Sequence, residues 1–212
     1  MKHVFVSGTD TDVGKTVLSA WLAAQWPADY WKPAQSGTVD GSDSERVAQL
    51  AGARCHPEVW RLAAPLSPHR AAELEGRELS LADVPPPPAA ERLVIEGAGG
   101  LLVPLNGREL MIDLVARLGA PVLLAARSGL GTINHTLLSL EALRARRLPV
   151  LGVVMLGAPD AANRAAIEHH GRVRVLAELP RLEPLTAARL RAEPLPAALR
   201  EALDALPGVV EA

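Results

Sequence analysis

The apolar positions of this chain fall into short continuous runs, separated by segments in which they recur with helical spacing. The first run, His3–Ser7, contains β-branched residues and leads into a glycine, which predicts a buried strand. Similar runs predict further strands at Tyr30–Lys32, Arg92–Glu96, Pro121–Arg127, Pro149–Leu156 and Val173–Leu179. Continuously apolar strands that alternate with helices are typical of a parallel sheet covered on both faces.

The segments between these runs carry signals for helix starts and ends. Ser42-Asp43-Ser44-Glu45 has the S-x-x-E form of a capping box and predicts a helix that continues to about Ala51. Other helices are predicted over residues 16–26, 109–118 with Gly119 as the stop signal, 132–147, and from an Asp160 cap to Gly171. Residues 54–88 have no clear pattern and end in four prolines, which are typical of a stiff surface connection.

Composition narrows the class of protein. The 212 residues are 49% hydrophobic, enough for one α/β domain over residues 1–212, and a net charge of −2 does not indicate a nucleic-acid or anionic-membrane partner. Cys55 is the one cysteine, which excludes intramolecular disulfides and multi-cysteine metal sites. The apolar runs are too short to span a bilayer and no signal-peptide pattern precedes the first strand, so we expect a cytoplasmic protein.

The segment GTDTDVGKT, residues 8–16, follows the first strand and leads into the first helix. It is one residue longer than the phosphate-binding pattern G-x-x-x-x-G-K-[ST], because the first glycine is Gly8 and position 9 is threonine. Backbone N–H groups in such a loop surround phosphate oxygens, Lys15 would reach the β- and γ-phosphates, and the Thr16 hydroxyl would bind Mg²⁺. The alternative is an ordinary turn with a solvated lysine, but the position directly after a strand favours a P-loop NTPase-like fold that binds a nucleotide.

Polar residues also follow two other strands, and ligands of doubly wound sheets bind at such strand ends. Lys32 is either a surface lysine or a second positive charge for a transferring phosphoryl group. Glu96 precedes Gly97-Ala98-Gly99-Gly100 and suits a Mg²⁺ ligand of Walker-B type. Asp43 either belongs to a helix cap or supplies a second carboxylate, and for Ser67-Pro68-His69 a plain turn is one open interpretation.

Six segments, GTDTDVGKT, KPAQSG, GSD, SPH, IEGAGG and LGTINH, occur in this order with compatible spacing. The chain therefore resembles the dethiobiotin synthetase family from residue 1 to about 156, with a weaker match at Glu178-Leu179-Pro180. The resemblance implies ATP-dependent carboxylation and ring closure of 7,8-diaminononanoate with CO₂, through a carbamate and a carbamic–phosphoric anhydride. It also implies Mg²⁺ as cofactor and a homodimer as the working form.

The resemblance also implies roles for individual residues. Lys32, Lys15 and Thr11 would be catalytic, Thr16, Asp43 and Glu96 would bind Mg²⁺, and Thr11 and Ser36 would line the diamine and carbamate region. The substrate's carboxylate tail would bind at a helix start of the partner subunit, at Gly131, Thr132, Ile133 and Asn134, where free backbone N–H groups are expected. The nucleotide would be bound by Asp12, Val13, Gly14, Lys15, Thr16, Val17, Glu96, Gly97, Ala98, Gly99, Leu156, Pro180 and Leu182.

One departure from the family pattern and the lengthened loop lead to further expectations. The family commonly has Asn-Asp after the strand V-x-x-V, whereas this chain has Leu156-Gly157, and leucine offers no side-chain hydrogen bond to an adenine edge. We therefore expect other nucleoside triphosphates to compete with ATP. In the lengthened loop, we expect Gly8 to end the strand and Thr11 to face the carbamate.

Two other classes of protein share parts of this pattern. Switch ATPases of chromosome partitioning usually carry a lysine five residues before the conserved one, and this position is Asp10 here. Corrinoid amidating ligases normally carry a glutaminase domain with a nucleophilic cysteine, for which these 212 residues leave no room, and Cys55 lacks the expected surroundings. Both alternatives are therefore less favoured than the synthetase.

Overall fold

The computed structural model describes residues 1–208. Its main feature is a seven-stranded sheet in the order β4-β2-β6-β1-β7-β8-β9, in which all neighbouring strands pair in parallel. The strands are β1 (Lys2–Gly8), β2 (Asp29–Trp31), β4 (Cys55–His56), β6 (Arg92–Gly100), β7 (Val122–Arg127), β8 (Val150–Leu156) and β9 (Val175–Leu179). Two short strands, β3 (Ala34–Ser36) and β5 (Trp60–Leu62), form a second parallel pair.

Helices cover both faces of the main sheet, as the apolar runs predict. Val4 and Val6 of β1 pack in one core cluster, while Phe5 points to a second cluster on the opposite face. The helices are α1 (Lys15–Gln25), α2 (Asp43–Ala51), α3 (Pro68–Leu74), α4 (Met111–Leu118), α5 (Thr132–Ala145), α6 (Ala161–Gly171), α7 (Ala187–Ala192) and α8 (Ala197–Asp204). The predicted α/β fold with a parallel sheet is therefore confirmed.

The predicted helix caps are present in the structure. Ser42 Oγ accepts from the Glu45 N–H (3.2 Å) while Glu45 Oε2 accepts from the Ser42 N–H (3.1 Å), which makes a complete capping box for α2. Gly119 ends α4 in the left-handed conformation at φ 67°, and Asp160 Oδ1 accepts from two N–H groups at the start of α6. These local interactions explain why the boundaries were predictable.

Three stretches differ from the sequence-based expectations. The strand expected to stop at Glu96 continues to Gly100, because Gly100 pairs with Gly8 of the neighbouring β1. Residues 54–88 contain β4, β5, α3 and a short 3-10 helix at Leu81–Asp83. The interpretation of Ser67-Pro68-His69 as a plain turn is wrong, because this segment starts α3. Pro68 is the first residue of the helix, a position at which no N–H is needed.

Two further helices, α7 and α8, follow the last strand and were not predicted. Leu190, Leu199 and Leu203 bury their side chains in the cluster beneath α1. The helix-forming signal is weak there because prolines interrupt the segment. Among residues 1–208, none of the helices has the length and apolar character needed to cross a bilayer.

Candidate active site

A cleft of about 1050 Å³ lies at the carboxyl ends of β1, β2 and β6. Three segments form its walls: the loop between β1 and α1, the chain from Lys32 to α2, and the end of β6. Further lining residues are Ser67 and Pro68, at the start of α3, and Leu185, in the irregular segment after β9. The cleft therefore occupies the position at which open parallel sheets bind their ligands.

The loop after β1 turns tightly before α1. Asp12 (φ 55°) and Gly14 (φ 95°) adopt left-handed conformations, and Gly14 directly precedes the first residue of α1. The first N–H groups of α1 are therefore directed at the cleft, where a helix N-terminus favours an anion. Lys15 is 7% exposed and lines the same cleft, beside Thr16.

Asp10 makes three hydrogen bonds that hold the lengthened loop in place. Its Oδ1 accepts from the Thr11 N–H (2.7 Å), its Oδ2 accepts from Arg127 at the end of β7 (2.8 Å), and its backbone carbonyl accepts from Lys15 Nζ (3.2 Å). The lengthened loop is thus attached to the neighbouring strand on one side and to its own lysine on the other. Asp10 also stands where a switch ATPase would carry a lysine, and here that position makes an ion pair with Arg127.

A cluster of four side chains occupies the floor of the cleft. Lys32 Nζ lies 2.8 Å from Asp43 Oδ2 and 2.9 Å from Glu96 Oε1. The Thr16 hydroxyl lies 2.9 Å from Asp43 Oδ1 and 3.1 Å from the same Glu96 Oε1. Residues from α1, α2, β6 and the chain directly after β2, separated by up to 80 positions in sequence, therefore meet at one point.

Strand register explains this meeting. Tyr30 of β2 pairs with Val94 of β6, so that Lys32 and Glu96, each two residues further on, lie on the same face of neighbouring strands. Glu96 pairs in turn with Val6 of β1, which lies two positions before Gly8. The loop that follows β1 consequently begins next to the carboxylate.

Two contributors to this cluster were missed in the sequence. The Tyr30 hydroxyl donates to Glu96 Oε2 (3.0 Å), and Gln35 Oε1 accepts from the Asp43 N–H (3.1 Å). Tyr30 resembled any buried strand residue, and the one available signal was its position two residues before Lys32. Gln35 lies within KPAQSG, but its contact with α2 depends on the return of the chain after β3.

The charges of the cluster stabilise one another. Burial by itself would lower the pKa of Lys32, but the Glu96 and Asp43 carboxylates outweigh burial and raise that pKa above its usual value. For Asp43, burial acts to raise the pKa, but Lys32 and the hydrogen bonds of the cluster hold it below its usual value. The Lys32 ammonium and the Asp43 carboxylate therefore both remain charged at neutral pH.

Lys15 behaves differently from Lys32. Burial lowers the pKa of Lys15, the neighbouring Lys32 acts in the same direction, and Glu96 opposes them. Among residues 1–208, Lys15 forms no ion pair with a carboxylate. Its ammonium donates instead to the Asp10 carbonyl. An anionic ligand in the cleft would supply the missing countercharge.

The oxygen atoms in the cluster fit a divalent cation of the Mg²⁺ type. Thr16, Asp43 and Glu96 contribute one hydroxyl and two carboxylates, and hard oxygen ligands of this kind suit Mg²⁺. Residues 1–208 hold no group of three or more histidine, cysteine or acidic side chains that would bind a metal unaided. Mg²⁺ is usually bound through one or two carboxylates together with substrate phosphates, so this donor set matches a site completed by a nucleotide.

Most of the residues predicted to bind nucleotide or substrate line the cleft. They are Thr11, Asp12, Gly14, Lys15, Thr16, Val17, Lys32, Ser36, Asp43, Glu96, Ala98 and Gly99. Thr11 Oγ1 lies 3.6 Å from the position that a Cβ on Gly99 would occupy, at the end of β6. The hydroxyl oxygen of Ser36 is buried and has no hydrogen-bond partner among the described residues.

Five of the predicted nucleotide residues do not line the cleft. Val13 is a buried core residue, and Gly97 packs against Phe5 so that only its carbonyl faces Lys32 (3.4 Å). Leu156 lies against Gly14, since its Cδ2 is 2.9 Å from the position of an added Cβ. Leu182 packs against the core cluster beneath α1. Pro180, just after β9, is outside the lining as well.

The predicted tail-binding residues begin α5, away from this cleft. Gly131 (φ 90°) precedes the helix, and Ile133 and Asn134 lie in its first turn. Thr132 was expected to offer a free N–H, but this expectation is wrong because that N–H donates to the Gly129 carbonyl (3.2 Å). The Thr132 side chain is also engaged, since its hydroxyl donates to the Arg127 carbonyl.

Comparisons with known proteins agree with this arrangement. Residues 2–189 match the model of the AAA domain family. The chain is 58% identical over 197 residues to the ATP-dependent dethiobiotin synthetase BioD of Paramagnetospirillum magneticum, which covers 92% of this chain and 96% of that protein. It is 57% identical over 190 residues to the biotin biosynthesis bifunctional protein BioCD of Bordetella avium, which covers 88% of this chain and 41% of that longer protein.

Among solved structures, a ParA family ATPase from Chlorobium tepidum has a similar fold. The TM-score is 0.53 at 9% identity, and the match covers 96% of this chain and 97% of that one. Identity this low supports the P-loop fold alone. The sequence match to the synthetase of Paramagnetospirillum magneticum is of a different order, since it extends over nearly the full length of both chains, and this chain accordingly belongs to the ATP-dependent dethiobiotin synthetase family.

Proposed function

We propose that this chain converts 7,8-diaminononanoate, CO₂ and ATP into dethiobiotin, ADP and phosphate. The observation that carries the proposal is the contact of Lys32 Nζ with both Asp43 and Glu96, beside Thr16 of the phosphate loop. This cluster concentrates charge where a γ-phosphoryl group would be transferred. Such a site suits phosphoryl transfer between bound substrates, in which the protein contributes position and electrostatics.

The reaction has three steps. One amine of the diamine attacks CO₂ and loses a proton, which gives a carbamate. A carbamate oxygen then attacks the γ-phosphorus, the bond to the β–γ bridging oxygen breaks, and ADP leaves. The second amine attacks the carbonyl carbon of the resulting mixed anhydride, the carbon–oxygen bond to phosphate breaks, and a five-membered ureido ring closes as phosphate departs.

We assign this chain's residues to these steps by their positions in the cleft. Lys32, whose ammonium is kept charged by two carboxylates, stabilises the negative charge that develops on the carbamate and the γ-phosphoryl oxygens. Lys15 and the loop N–H groups hold the β- and γ-phosphates. Thr11 and the partnerless hydroxyl of Ser36 orient the carbamate end of the diamine.

Thr16, Asp43 and Glu96 would hold Mg²⁺, which neutralises phosphate charge when it is bound. Lys32 Nζ contacts both of these carboxylates, so the same two side chains serve the proposed cation site and the catalytic lysine. The Gln35 hydrogen bond to the Asp43 N–H fixes the first residue of α2 and thereby the direction of its carboxylate.

The proposed activity is tested by measuring phosphate release with ATP, Mg²⁺ and bicarbonate, in the presence and in the absence of 7,8-diaminononanoate. Release that requires the diamine, together with dethiobiotin detected by mass spectrometry, supports the synthetase. Release that is indifferent to the diamine would instead indicate a switch ATPase, the class whose fold this chain shares.

We further propose that the working form is a homodimer, in which the substrate's carboxylate tail reaches the start of α5 of the partner subunit. Gly131, Ile133 and Asn134 remain the candidates for this contact, since Thr132 is engaged within its own chain. Two apolar side chains of this region are exposed, Leu130 in the preceding loop and Leu138 in the helix, and a second copy would cover them.

The dimer is expected to sediment as a single species of twice the chain mass at micromolar concentration. Leu138→Glu should shift that species toward the monomer, because a charge replaces an apolar contact. Leu74→Glu, at an equally exposed leucine on α3, serves as the control and should leave the dimer unchanged. A wild-type chain that sediments as a monomer would contradict this part of the proposal.

Leu156 leads to an expectation about nucleotide choice. We expect GTP, CTP and UTP to compete appreciably with ATP and to support turnover, because leucine offers contact but no hydrogen bond to a base edge. In the structure the Leu156 side chain packs against Gly14 of the phosphate loop. Turnover measured with all four nucleotides checks this, and Leu156→Asn should increase the preference for ATP. A wild-type preference for ATP of several orders of magnitude would contradict it.

A further inference from the structure

Tyr30 is a fully buried residue of β2 whose hydroxyl reaches the active-site cluster. It pairs with Val94 of β6, so its side chain lies on the same face of the sheet as Lys32 and Glu96. The hydroxyl donates to Glu96 Oε2 at 3.0 Å. A phenolic hydroxyl is protonated at neutral pH, so Tyr30 is the donor in this contact.

The two oxygens of Glu96 have different surroundings. Oε1 receives the Lys32 ammonium (2.9 Å) and the Thr16 hydroxyl (3.1 Å), two groups of residues that line the cleft. Oε2 receives Tyr30, which is its one hydrogen-bond donor found among residues 1–208. Glu96 has no exposed surface, so water does not replace a donor that is lost. The direction of the carboxylate therefore depends on its protein partners.

We propose that Tyr30 is a positioning residue: its hydroxyl fixes the plane of the Glu96 carboxylate and thereby directs Oε1 at Thr16, Lys32 and the Mg²⁺ site of the proposed function. The inference rests on that function, because it concerns the same carboxylate. Partners that orient a metal-binding side chain contribute to metal affinity although they do not touch the metal. Without Tyr30, the carboxylate would be free to rotate away from the direction that the cleft requires.

A purely structural role is the competing explanation, because the Tyr30 ring packs in the core cluster with Val94 and Val47. Tyr30→Phe separates the two roles. Phenylalanine keeps the ring and its packing and removes only the hydroxyl. A structural role predicts a change in thermal stability alone, whereas a positioning role predicts a change in the concentration of Mg²⁺ that nucleotide binding requires.

The experiment is calorimetric titration of the full chain with ADP at a series of Mg²⁺ concentrations. For Tyr30→Phe, we expect the Mg²⁺ concentration that gives half of the metal-dependent increase in ADP affinity to rise about tenfold or more. The affinity for ADP in the absence of Mg²⁺ should stay within about twofold, because Tyr30 does not line the cleft.

Ser44→Ala is the matched control. The Ser44 hydroxyl also donates to a carboxylate, Glu58 Oε1 at 2.6 Å, and Ser44 follows Asp43 directly, yet it does not line the cleft. This control should lower the melting temperature without a change in the Mg²⁺ requirement. It shows what the loss of a buried hydroxyl–carboxylate hydrogen bond does on its own.

The outcomes are distinct. A Tyr30→Phe protein that melts at a lower temperature but keeps the wild-type Mg²⁺ requirement overturns the inference and leaves the proposed function intact. An equal rise in the Mg²⁺ requirement for Ser44→Ala also overturns it, because the effect would then follow from lost stability. Wild-type ADP binding that ignores Mg²⁺ would overturn the proposed metal site and the inference with it.

Discussion

Replacement of Lys32 by methionine is expected to lower diamine-dependent phosphate release by about a hundredfold to a thousandfold. Methionine has nearly the length of lysine but no charge, so the variant removes the ammonium that lies 2.8 Å from Asp43 and 2.9 Å from Glu96. The charge that develops on the carbamate and the γ-phosphoryl group would then lack its nearest cation. Phosphate release with and without the diamine, under saturating ATP, measures this loss.

The same change is expected to affect stability, because it leaves two neighbouring carboxylates without their shared cation. Removal of one partner from a buried ion pair typically costs about 3–5 kcal/mol, and Glu96 is fully buried here. Denaturant unfolding measures this cost, and the activity assay is run where the variant remains folded and binds ADP. Lys2→Met provides the control, since Lys2 contacts the Asp204 carbonyl near the opposite end of β1. A folded Lys32→Met protein with near-wild-type turnover would contradict the catalytic role of Lys32.

Gly8→Ala is expected to weaken ATP binding by about tenfold to a hundredfold, since overpacking of a close contact costs roughly 1–3 kcal/mol. A Cβ at this position would lie 2.5 Å from the Asp10 carbonyl oxygen and 3.0 Å from Lys15 Nζ. The lengthened loop would have to move away from the strand, and Lys15 would lose the carbonyl that positions it. Titration with ATP and with ADP measures the change in affinity.

Gly107→Ala is the control for Gly8→Ala, because a Cβ at Gly107 meets no atom within 4 Å. It should bind ATP as the wild type does. The melting temperatures of the two variants show whether the effect is confined to the loop. If Gly8→Ala binds ATP normally, the close packing of Asp10 over Gly8 does not determine the shape of the phosphate loop.

The main sheet and its flanking helices could be predicted because their signals are local. The apolar run at residues 150–156, the Ser42 capping box and the Gly119 stop each depend on neighbouring residues in the chain. The shortest elements could not be predicted in this way. The strands Cys55–His56 and Trp60–Leu62 are two and three residues long, too short for periodicity, and they exist because β2 and β3 offer unpaired edges.

The candidate site was predictable to the extent that residue type and strand position define it. Lys32 and Asp43 were each open to an ordinary interpretation, as a surface lysine and as a capping residue, whereas Glu96 was predicted to bind Mg²⁺. Their contacts at 2.8–2.9 Å support the functional interpretation, since a surface lysine does not bury itself between two carboxylates. Their individual roles in the reaction remain predictions, which the Lys32→Met and Tyr30→Phe experiments address.

By itself, the sequence determined the parallel α/β fold, the phosphate loop after the first strand and the family to which the chain belongs. The tertiary structure alone decided that Tyr30 holds the far oxygen of Glu96, that Asp10 attaches the lengthened loop to Arg127, and that the Thr132 N–H is engaged. The physical reason is the range of the interactions. Caps, turns and apolar periodicity arise from residues close in sequence, whereas these hydrogen bonds depend on strand register and on loops that meet only after the sheet has formed.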